Sequence, residues 1–159
     1  EKMGAKLDSE YAVNKLSSDF YGVYSGQSAL PVRPDELYCL ENEAIKNSTV
    51  YDAETDSSIT VYNKENAFGK DLYEVFLHGS KSLLKIENPN SVSDKKLIVF
   101  RDSFASSLAP LLISGYSEIT LVDIRYISPK LLERFMDFEG RDILFLYSTG
   151  VLNNSITIK

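Results

Sequence analysis

In the second half of the chain, two kinds of segment alternate, each with its own pattern of apolar and polar positions. Three short runs are apolar on both faces, as buried strands are: residues 95–100, 118–123 and 142–147. Two segments between them have apolar positions at helical spacing: residues 104–114 and 128–138. Ser128 and Pro129 suit the N-cap and the first position of the second helix. This βαβαβ order predicts an α/β fold with a three-layer, doubly wound, mainly parallel sheet.

The first half of the chain predicts smaller elements. Short β-branched and aromatic runs indicate extra strands at residues 37–40, 49–51 and 59–62, the last two forming a hairpin across residues 52–58. Residues 9–16 fit a short helix, and residues 71–77 fit a helical turn or two that ends at Gly79. We expect residues 1–159 to form a single domain, because 159 residues is close to the usual domain size.

Composition narrows the classes of function. The 17 Lys and Arg against 23 Asp and Glu leave a net charge of −6, and no basic cluster suggests a nucleic-acid partner. Cys39 is the single cysteine and His78 the single histidine, so we expect no disulfide, no metal centre and no mechanism with two imidazoles from this chain. No segment reaches the roughly 18 apolar residues of a membrane span. The opening residues do not resemble a natural start, so we interpret the chain as the C-terminal part of a longer protein.

Candidate chemistry lies where the predicted parallel strands end. Ligands of open parallel sheets bind beyond the carboxyl ends of the strands. Ser103 follows the first strand, Arg125 follows the second, and Tyr147 closes the third. We therefore expect all three side chains to face one crevice.

Ser103 has two possible roles. At a strand-to-helix junction, free N–H groups of the first helical turn can stabilise an oxyanion, which suits a nucleophilic serine. The same position also suits a serine that simply caps the helix. Asp102 fits equally well as a cap or as a turn residue.

Several segments, in order along the chain, resemble the DHHW family of bacterial proteins. They are residues 96–110 (KLIVFRDSFASSLAP), 116–119, 122–126, 19–22, 144–149 and 152–154. The first resembles the family's "KDSYANS…P" block, with Arg101 where Gly or Lys is usual. The DHHW family is similar to the SGNH-hydrolase-type domain of the alginate O-acetyltransferases, which implies an SGNH or flavodoxin-like sheet.

The resemblance implies a function and a set of site residues. Ser103 matches the nucleophile beside Asp102, and Arg125 and Tyr147 match positions that line the acetyl or sugar site. The turn at His78, Gly79 and Ser80 falls where the family has a glycine- and asparagine-containing turn, so it is expected to bind the oxyanion or the substrate. The implied activity is acyl transfer or ester hydrolysis on acetylated cell-envelope carbohydrate, without a cofactor. The implied location is extracytoplasmic, in bacteria, with membrane anchoring only if an upstream segment supplies it.

One departure from the family leaves an alternative open. The Asp-His-His-Trp motif that supplies the acid and base is absent, and the chain has no tryptophan. A serine hydroxyl is a weak nucleophile without a neighbouring base. His78 could serve as that base only if its turn reaches Ser103, whereas a lone histidine at a helix end is more often a solvated or capping residue. The alternative is a non-catalytic carbohydrate-binding or scaffold domain.

Overall fold

The computed structural model of the chain describes residues 3–28, 31–65, 71–154 and 156. Its strands are β1 (Ala12–Phe20), β2 (Asp35–Glu41), β3 (Thr49–Asp52), β4 (Ser57–Ile59), β5 (Leu83–Glu87), β6 (Lys96–Arg101), β7 (Glu118–Val122) and β8 (Arg141–Leu146). Its α-helices are α1 (Val23–Ser28), α2 (Glu43–Asn47), α3 (Ala105–Leu112) and α4 (Thr149–Asn153). Short 3-10 helices cover Leu72–Val75, Ile113–Gly115 and Pro129–Arg134.

Six strands form one mixed sheet in the order β4-β3-β5-β7-β6-β8. The three predicted strands of the second half are confirmed as β6, β7 and β8, and β6 pairs in parallel with both of the others. The prediction of a mainly parallel sheet is wrong, because the pairs β3–β4, β3–β5 and β5–β7 are antiparallel. The sequence analysis missed β5, whose Lys85 and Glu87 interrupt its short apolar run. Its insertion between β3 and β7 joins the hairpin to the parallel strands.

The predicted helix over residues 9–16 is also wrong. From Ala12 onward this segment is strand β1, which pairs antiparallel with β2 in a separate two-stranded sheet. Pairing with β2 and the packing of Leu16 and Phe20 against the core override the weak helical pattern. The strands near residues 37–40 and 49–51 are confirmed. A hairpin follows as predicted, but its second strand is Ser57–Ile59 rather than residues 59–62, and Tyr62 forms an isolated bridge with Phe76 instead.

The predicted helices exist in shorter form. Residues 104–114 divide into α3 and a 3-10 turn, and Pro110 lies within α3. The segment that opens with Ser128 and Pro129 is a 3-10 helix that ends at Arg134, with proline at its start as predicted. The turn near residues 71–77 is a 3-10 helix in which the Asp71 carboxylate accepts a hydrogen bond from Tyr73 N at 3.0 Å. No helix in the described part of the chain is long and apolar enough to cross a membrane.

Both faces of the six-stranded sheet carry apolar clusters, as alternation along the strands requires. On one face Leu97, Val99, Ile119 and Leu121 pack with Ala109 of α3 and with the N-terminal half of the chain. On the other face the cluster consists of Leu83, Ile98, Phe100, Val122, Ile127, Leu132 and Met136. These clusters fix β6, β7 and β8 side by side, so the residues that follow the three strands are brought to one edge of the sheet.

Candidate functional site

Ser103 lies in a tight turn between β6 and α3. The Asp102 carboxylate accepts a hydrogen bond from Phe104 N at 3.0 Å, the Asp102 carbonyl accepts one from Ala105 N at 3.2 Å, and the Ser103 carbonyl accepts one from Ser106 N at 3.0 Å. The helix has no side-chain cap at its N-cap position, so the interpretation of Ser103 as a capping serine is wrong. Asp102 instead forms an Asx turn, in which its carboxylate accepts the hydrogen bond from Phe104 N.

The Ser103 side chain is half-buried. Among the residues that the structure describes, none forms a hydrogen bond with Ser103 Oγ or with the Ser103 amide. The three amides that follow it in the turn all have partners. Ser103 therefore presents a hydroxyl and an adjacent N–H that the local fold does not use.

Asp102 joins the Ser103 turn to the end of β8. Its other carboxylate oxygen accepts a hydrogen bond from Ser148 N at 2.6 Å, and its own amide donates to the Leu146 carbonyl at 3.4 Å. The side chain is only 2% exposed. The structure thus brings Asp102 and the β8 end together, as the sequence analysis expected from parallel strands.

Tyr147 follows β8 directly and is half-buried. Its hydroxyl is buried and has no hydrogen-bond partner in the described part of the chain. Burial raises the pKa of Tyr147, and the negative charges of Asp123 and Asp102 raise it further, whereas Arg125 lowers it. Tyr147 therefore interacts electrostatically with the carboxylates that follow β6 and β7, namely Asp102 and Asp123. Its phenol is protonated.

Arg125 is held by Asp123, a carboxylate with no exposed surface. Arg125 donates from Nε at 2.8 Å and from NH2 at 2.6 Å to the two carboxylate oxygens, and its amide donates to one of them at 3.1 Å. The hydrogen bond to Asp123 raises the pKa of Arg125 against the opposing effect of burial. The guanidinium also lies 5.3 Å from the centre of the Tyr126 ring, which is 56% exposed. Arg125 is thus a fixed cation beside an exposed aromatic ring.

His78, Gly79 and Ser80 lie in a left-handed turn after the 3-10 helix Leu72–Val75. Leu77, His78 and Gly79 have φ values of 54°, 58° and 86° in succession. His78 Nε2 lies 3.2 Å from Thr60 Oγ1, and burial lowers the pKa of the imidazole. His78 lines a cavity of about 620 Å³ beside the end of β4, and Ser103 is not among the residues that line it.

No hydrogen bond joins His78 to Ser103. The roles of Ser103, Arg125, Tyr147, His78, Gly79 and Ser80 stay predictions, because position alone does not assign chemistry to them. Within the described residues no group of three or more His, Cys, Asp or Glu side chains could hold a metal ion.

The sequence analysis missed two buried charges of the site. Asp123 and Arg101 have 0% exposure, and both end a run of apolar strand residues. A charged residue that directly follows the apolar end of a predicted buried strand was the available signal, since such groups are seldom buried without partners. Tyr73 was missed as well; its hydroxyl lies 3.2 Å from the Phe104 carbonyl and 3.0 Å from Ser107 Oγ, against the first turn of α3.

The fold of the chain is similar to the folds of solved bacterial structures. A DHHW family protein from Eubacterium siraeum is similar over 92% of this chain, with 24% sequence identity and a TM-score of 0.70. Bacillus cereus PatB1 with a sulfonyl adduct matches 89% of the chain with 17% identity and a TM-score of 0.64. Another structure of Bacillus cereus PatB1 matches 90% with 17% identity and a TM-score of 0.62.

These comparisons establish a common fold. No family profile matches the chain, and no curated protein matches it. The chain spans about half the length of each structural neighbour, with coverage of 50%, 48% and 50% of their chains. The resemblance to the DHHW family is therefore confirmed at the level of the fold.

Proposed function

We propose that this chain provides the serine-bearing part of an SGNH-like acyl-transfer or esterase site of the DHHW kind. The proposed substrate is an acetyl ester of cell-envelope carbohydrate, in an extracytoplasmic bacterial setting. The proposed fold is one three-layer domain over residues 1–159 that is incomplete without an Asp-His motif from elsewhere in the protein. The fold shared with a DHHW family protein and with PatB1 supports this proposal.

The observation that carries the proposal is the unused polar pair at Ser103. The amides of Phe104, Ala105 and Ser106 are engaged within the turn, whereas the Ser103 amide and Oγ have no partner among the described residues. A nucleophilic serine needs this arrangement, because the developing oxyanion requires a donor close to the attacking oxygen. Both groups of the β6–α3 turn are therefore available to bind a substrate.

The proposed reaction proceeds through an acyl-enzyme. Ser103 Oγ attacks the acetyl carbonyl carbon while a general base removes the hydroxyl proton. The carbonyl oxygen becomes the oxyanion, which the Ser103 N–H binds together with Arg125 or the turn at Gly79 and Ser80. Collapse of the intermediate breaks the ester bond, and the leaving alcohol takes the proton. A sugar hydroxyl or water then attacks the acyl-serine and regenerates Ser103.

The mechanism also needs a general base, and His78 is the one histidine among the described residues. His78 contacts Thr60 and forms no hydrogen bond with Ser103. General-base help contributes typically 10²–10⁴-fold to the rate. We propose that an Asp-His pair outside this sequence provides the base and that His78 contributes to substrate binding.

The test is turnover of 4-nitrophenyl acetate by the natural polypeptide that contains this chain. Ser103→Ala is expected to lower kcat/KM by at least about 10²-fold, because the acyl-enzyme can no longer form. Ser128→Ala is the matched control, since the Ser128 hydroxyl caps no amide and lies outside the site. Equal rates for the wild-type protein and Ser103→Ala would overturn the proposal.

One observation favours a second function, carbohydrate binding without catalysis. Two exposed aromatic rings border the site, namely Phe104 at 52% exposure beside Ser103 and Tyr126 at 56% exposure beside Arg125. Exposed rings beside fixed polar groups suit the apolar faces of sugars. A binding domain predicts that an acetylated oligosaccharide binds equally well to the wild-type protein and to Ser103→Ala, with weaker binding to Tyr126→Ala, and that no ester is cleaved.

A further inference from the structure

Arg101 is a fully buried cation for which the described residues provide no ion pair. It ends β6 two residues before Ser103, and its exposure is 0%. Burial lowers the pKa of its guanidinium, and the charge of Asp123 partly offsets this effect. Among the described residues Arg101 forms no salt bridge, and its Nε has no hydrogen-bond partner. An apolar side chain would fill this space at lower cost, since desolvating a charge is expensive.

The hydrogen bonds of Arg101 join two segments that are distant in sequence. NH1 donates to Ser106 Oγ at 2.8 Å and to the Asp102 carbonyl at 3.5 Å. NH2 donates to the Lys81 carbonyl at 3.3 Å. One guanidinium therefore contacts both the turn that carries Ser103 and the segment that directly follows Ser80.

The Lys81 end of this connection is itself fixed. Lys81 Nζ lies 2.8 Å from a carboxylate oxygen of Asp52, which is 1% exposed. The next residue, Ser82, donates its amide to Glu54 Oε1 at 2.8 Å and accepts a hydrogen bond from Asp123 N at 2.8 Å. The Lys81 carbonyl is thus an acceptor in a fixed position. Because Arg101 binds this carbonyl, it also fixes the position of the Ser103 turn.

We infer that Arg101 is a positioning residue that sets the distance between Ser103 and the turn at Gly79 and Ser80. This inference rests on the proposed acyl-transfer function, in the form in which the turn at Gly79 and Ser80, rather than Arg125, binds the oxyanion together with the Ser103 N–H. The planar fork of arginine can bond Ser106 and Lys81 at the same time, whereas a lysine ammonium retains the charge but cannot reproduce that geometry. Fixed relative positions of nucleophile and oxyanion donors are what acyl transfer requires.

The kinetic test uses Arg101→Lys and Ser106→Ala in the natural polypeptide. We expect Arg101→Lys to lower kcat for 4-nitrophenyl acetate on the order of 100-fold. Ser106→Ala, which removes one acceptor and introduces no steric change, should lower kcat about tenfold. KM should stay within about twofold in both variants. Arg134→Lys is the matched control, because Arg134 is exposed on a 3-10 helix outside the site, and it should keep wild-type kcat.

The kinetic outcomes separate the two claims. A wild-type rate in Ser103→Ala refutes the proposed function itself. If Ser103→Ala is inactive while Ser106→Ala and Arg101→Lys keep wild-type kcat, only the positioning role of Arg101 is refuted. A rise in KM without a loss of kcat also refutes it, because misplacement of the nucleophile acts on the chemical step.

A measurement independent of activity completes the test. In Ser106→Ala and Arg101→Lys, amide hydrogen exchange should accelerate in two separate segments, residues 102–106 and residues 79–82, while exchange in β3 and β5 stays unchanged. Faster exchange in residues 102–106 alone would show that Arg101 does not connect the two segments. That result would overturn the inference even if Arg101→Lys proved too unstable for kinetics.

Discussion

Asp102 shows how one buried side chain can organise a site. One oxygen of its carboxylate holds the turn that carries Ser103, through Phe104 N, and the other holds the end of β8, through Ser148 N. The position of Ser103 after a predicted strand was visible in the sequence. The turn role of Asp102 was visible only as one of two possibilities, since aspartate suits both helix caps and turns. Which of the two roles it takes depends on the reach of its side chain in the folded turn.

At this residue scale, Asp102→Asn is expected to destabilise the protein. The amide retains one oxygen for Phe104 N, but it places an NH2 group opposite a second donor, Ser148 N. We expect the free energy of unfolding in urea to fall by about 1–3 kcal/mol. Asp137→Asn is the matched control, because Asp137 accepts one hydrogen bond, from Glu139 N at 3.0 Å, in an exposed turn. Equal stability of the two variants would contradict the structural role of Asp102.

A second prediction concerns the pH dependence of the protein's stability, and it rests on Glu118. Burial raises the pKa of Glu118, but its hydrogen bonds and ion pairs with Arg141 and Lys85 outweigh this effect and lower the pKa below its usual value of 4.5. A carboxyl with a lowered folded-state pKa contributes stability that is complete above the unfolded value and is lost as pH falls through the folded value. Stability should therefore decline as pH falls below about 4.5.

The variant Glu118→Gln tests this pH dependence. It should unfold more easily than the wild-type protein at pH 7, by roughly 1–3 kcal/mol, because its cationic partners lose their counter-charge. The difference should shrink as the pH falls below about 4.5 and wild-type Glu118 becomes protonated. Glu133→Gln, at an exposed position, is the control and should follow the wild-type protein at every pH. A difference independent of pH would contradict the assignment.

At the scale of elements, the second half of the chain was more predictable than the first. The apolar runs of β6, β7 and β8 predict parallel strands without knowledge of their neighbours. The burial that this pattern predicts is found in β6 and β7, whereas β8 is an edge strand in which Ile143 and Phe145 are exposed. Strand β5 has charged residues on one face, and β1 has only intermittent apolar positions. Those two strands are specified by the partners they pair with, and a local pattern carries little information about such partners.

Because β6 is buried, we expect substitutions in this strand to destabilise the protein more than substitutions in β8. Ile98 is 0% exposed, whereas Ile143, its register partner on β8 and on the same face, is 44% exposed. Ile98→Ala should destabilise the protein by about 2–5 kcal/mol, since it leaves a cavity in the sheet core. Ile143→Ala should cost less than about 1 kcal/mol, because that side chain retains contact with water. Similar losses of stability in urea denaturation would show that β8 is covered to the same extent as β6.

At the scale of the whole molecule, the polar residues of the candidate site lie at one edge of the sheet. Three parallel strands end beside one another, and Asp102, Asp123, Arg125 and Tyr147 follow them within a few residues. The sequence predicted this gathering, because it follows from parallel pairing alone. It did not predict that Arg101 and Asp123 would be buried beneath the site, since burial of a charge depends on every element that packs around it.

The most direct measurement of the central claim is covalent labelling of the natural polypeptide with phenylmethylsulfonyl fluoride, followed by peptide mass spectrometry. Sulfonyl fluorides attach to activated nucleophilic side chains, and one structural neighbour was solved with a sulfonyl adduct. The account predicts a single adduct on Ser103, absent from Ser103→Ala and present in Ser128→Ala. An unlabelled Ser103, or an adduct that forms equally in Ser103→Ala, would contradict Ser103 as the nucleophile.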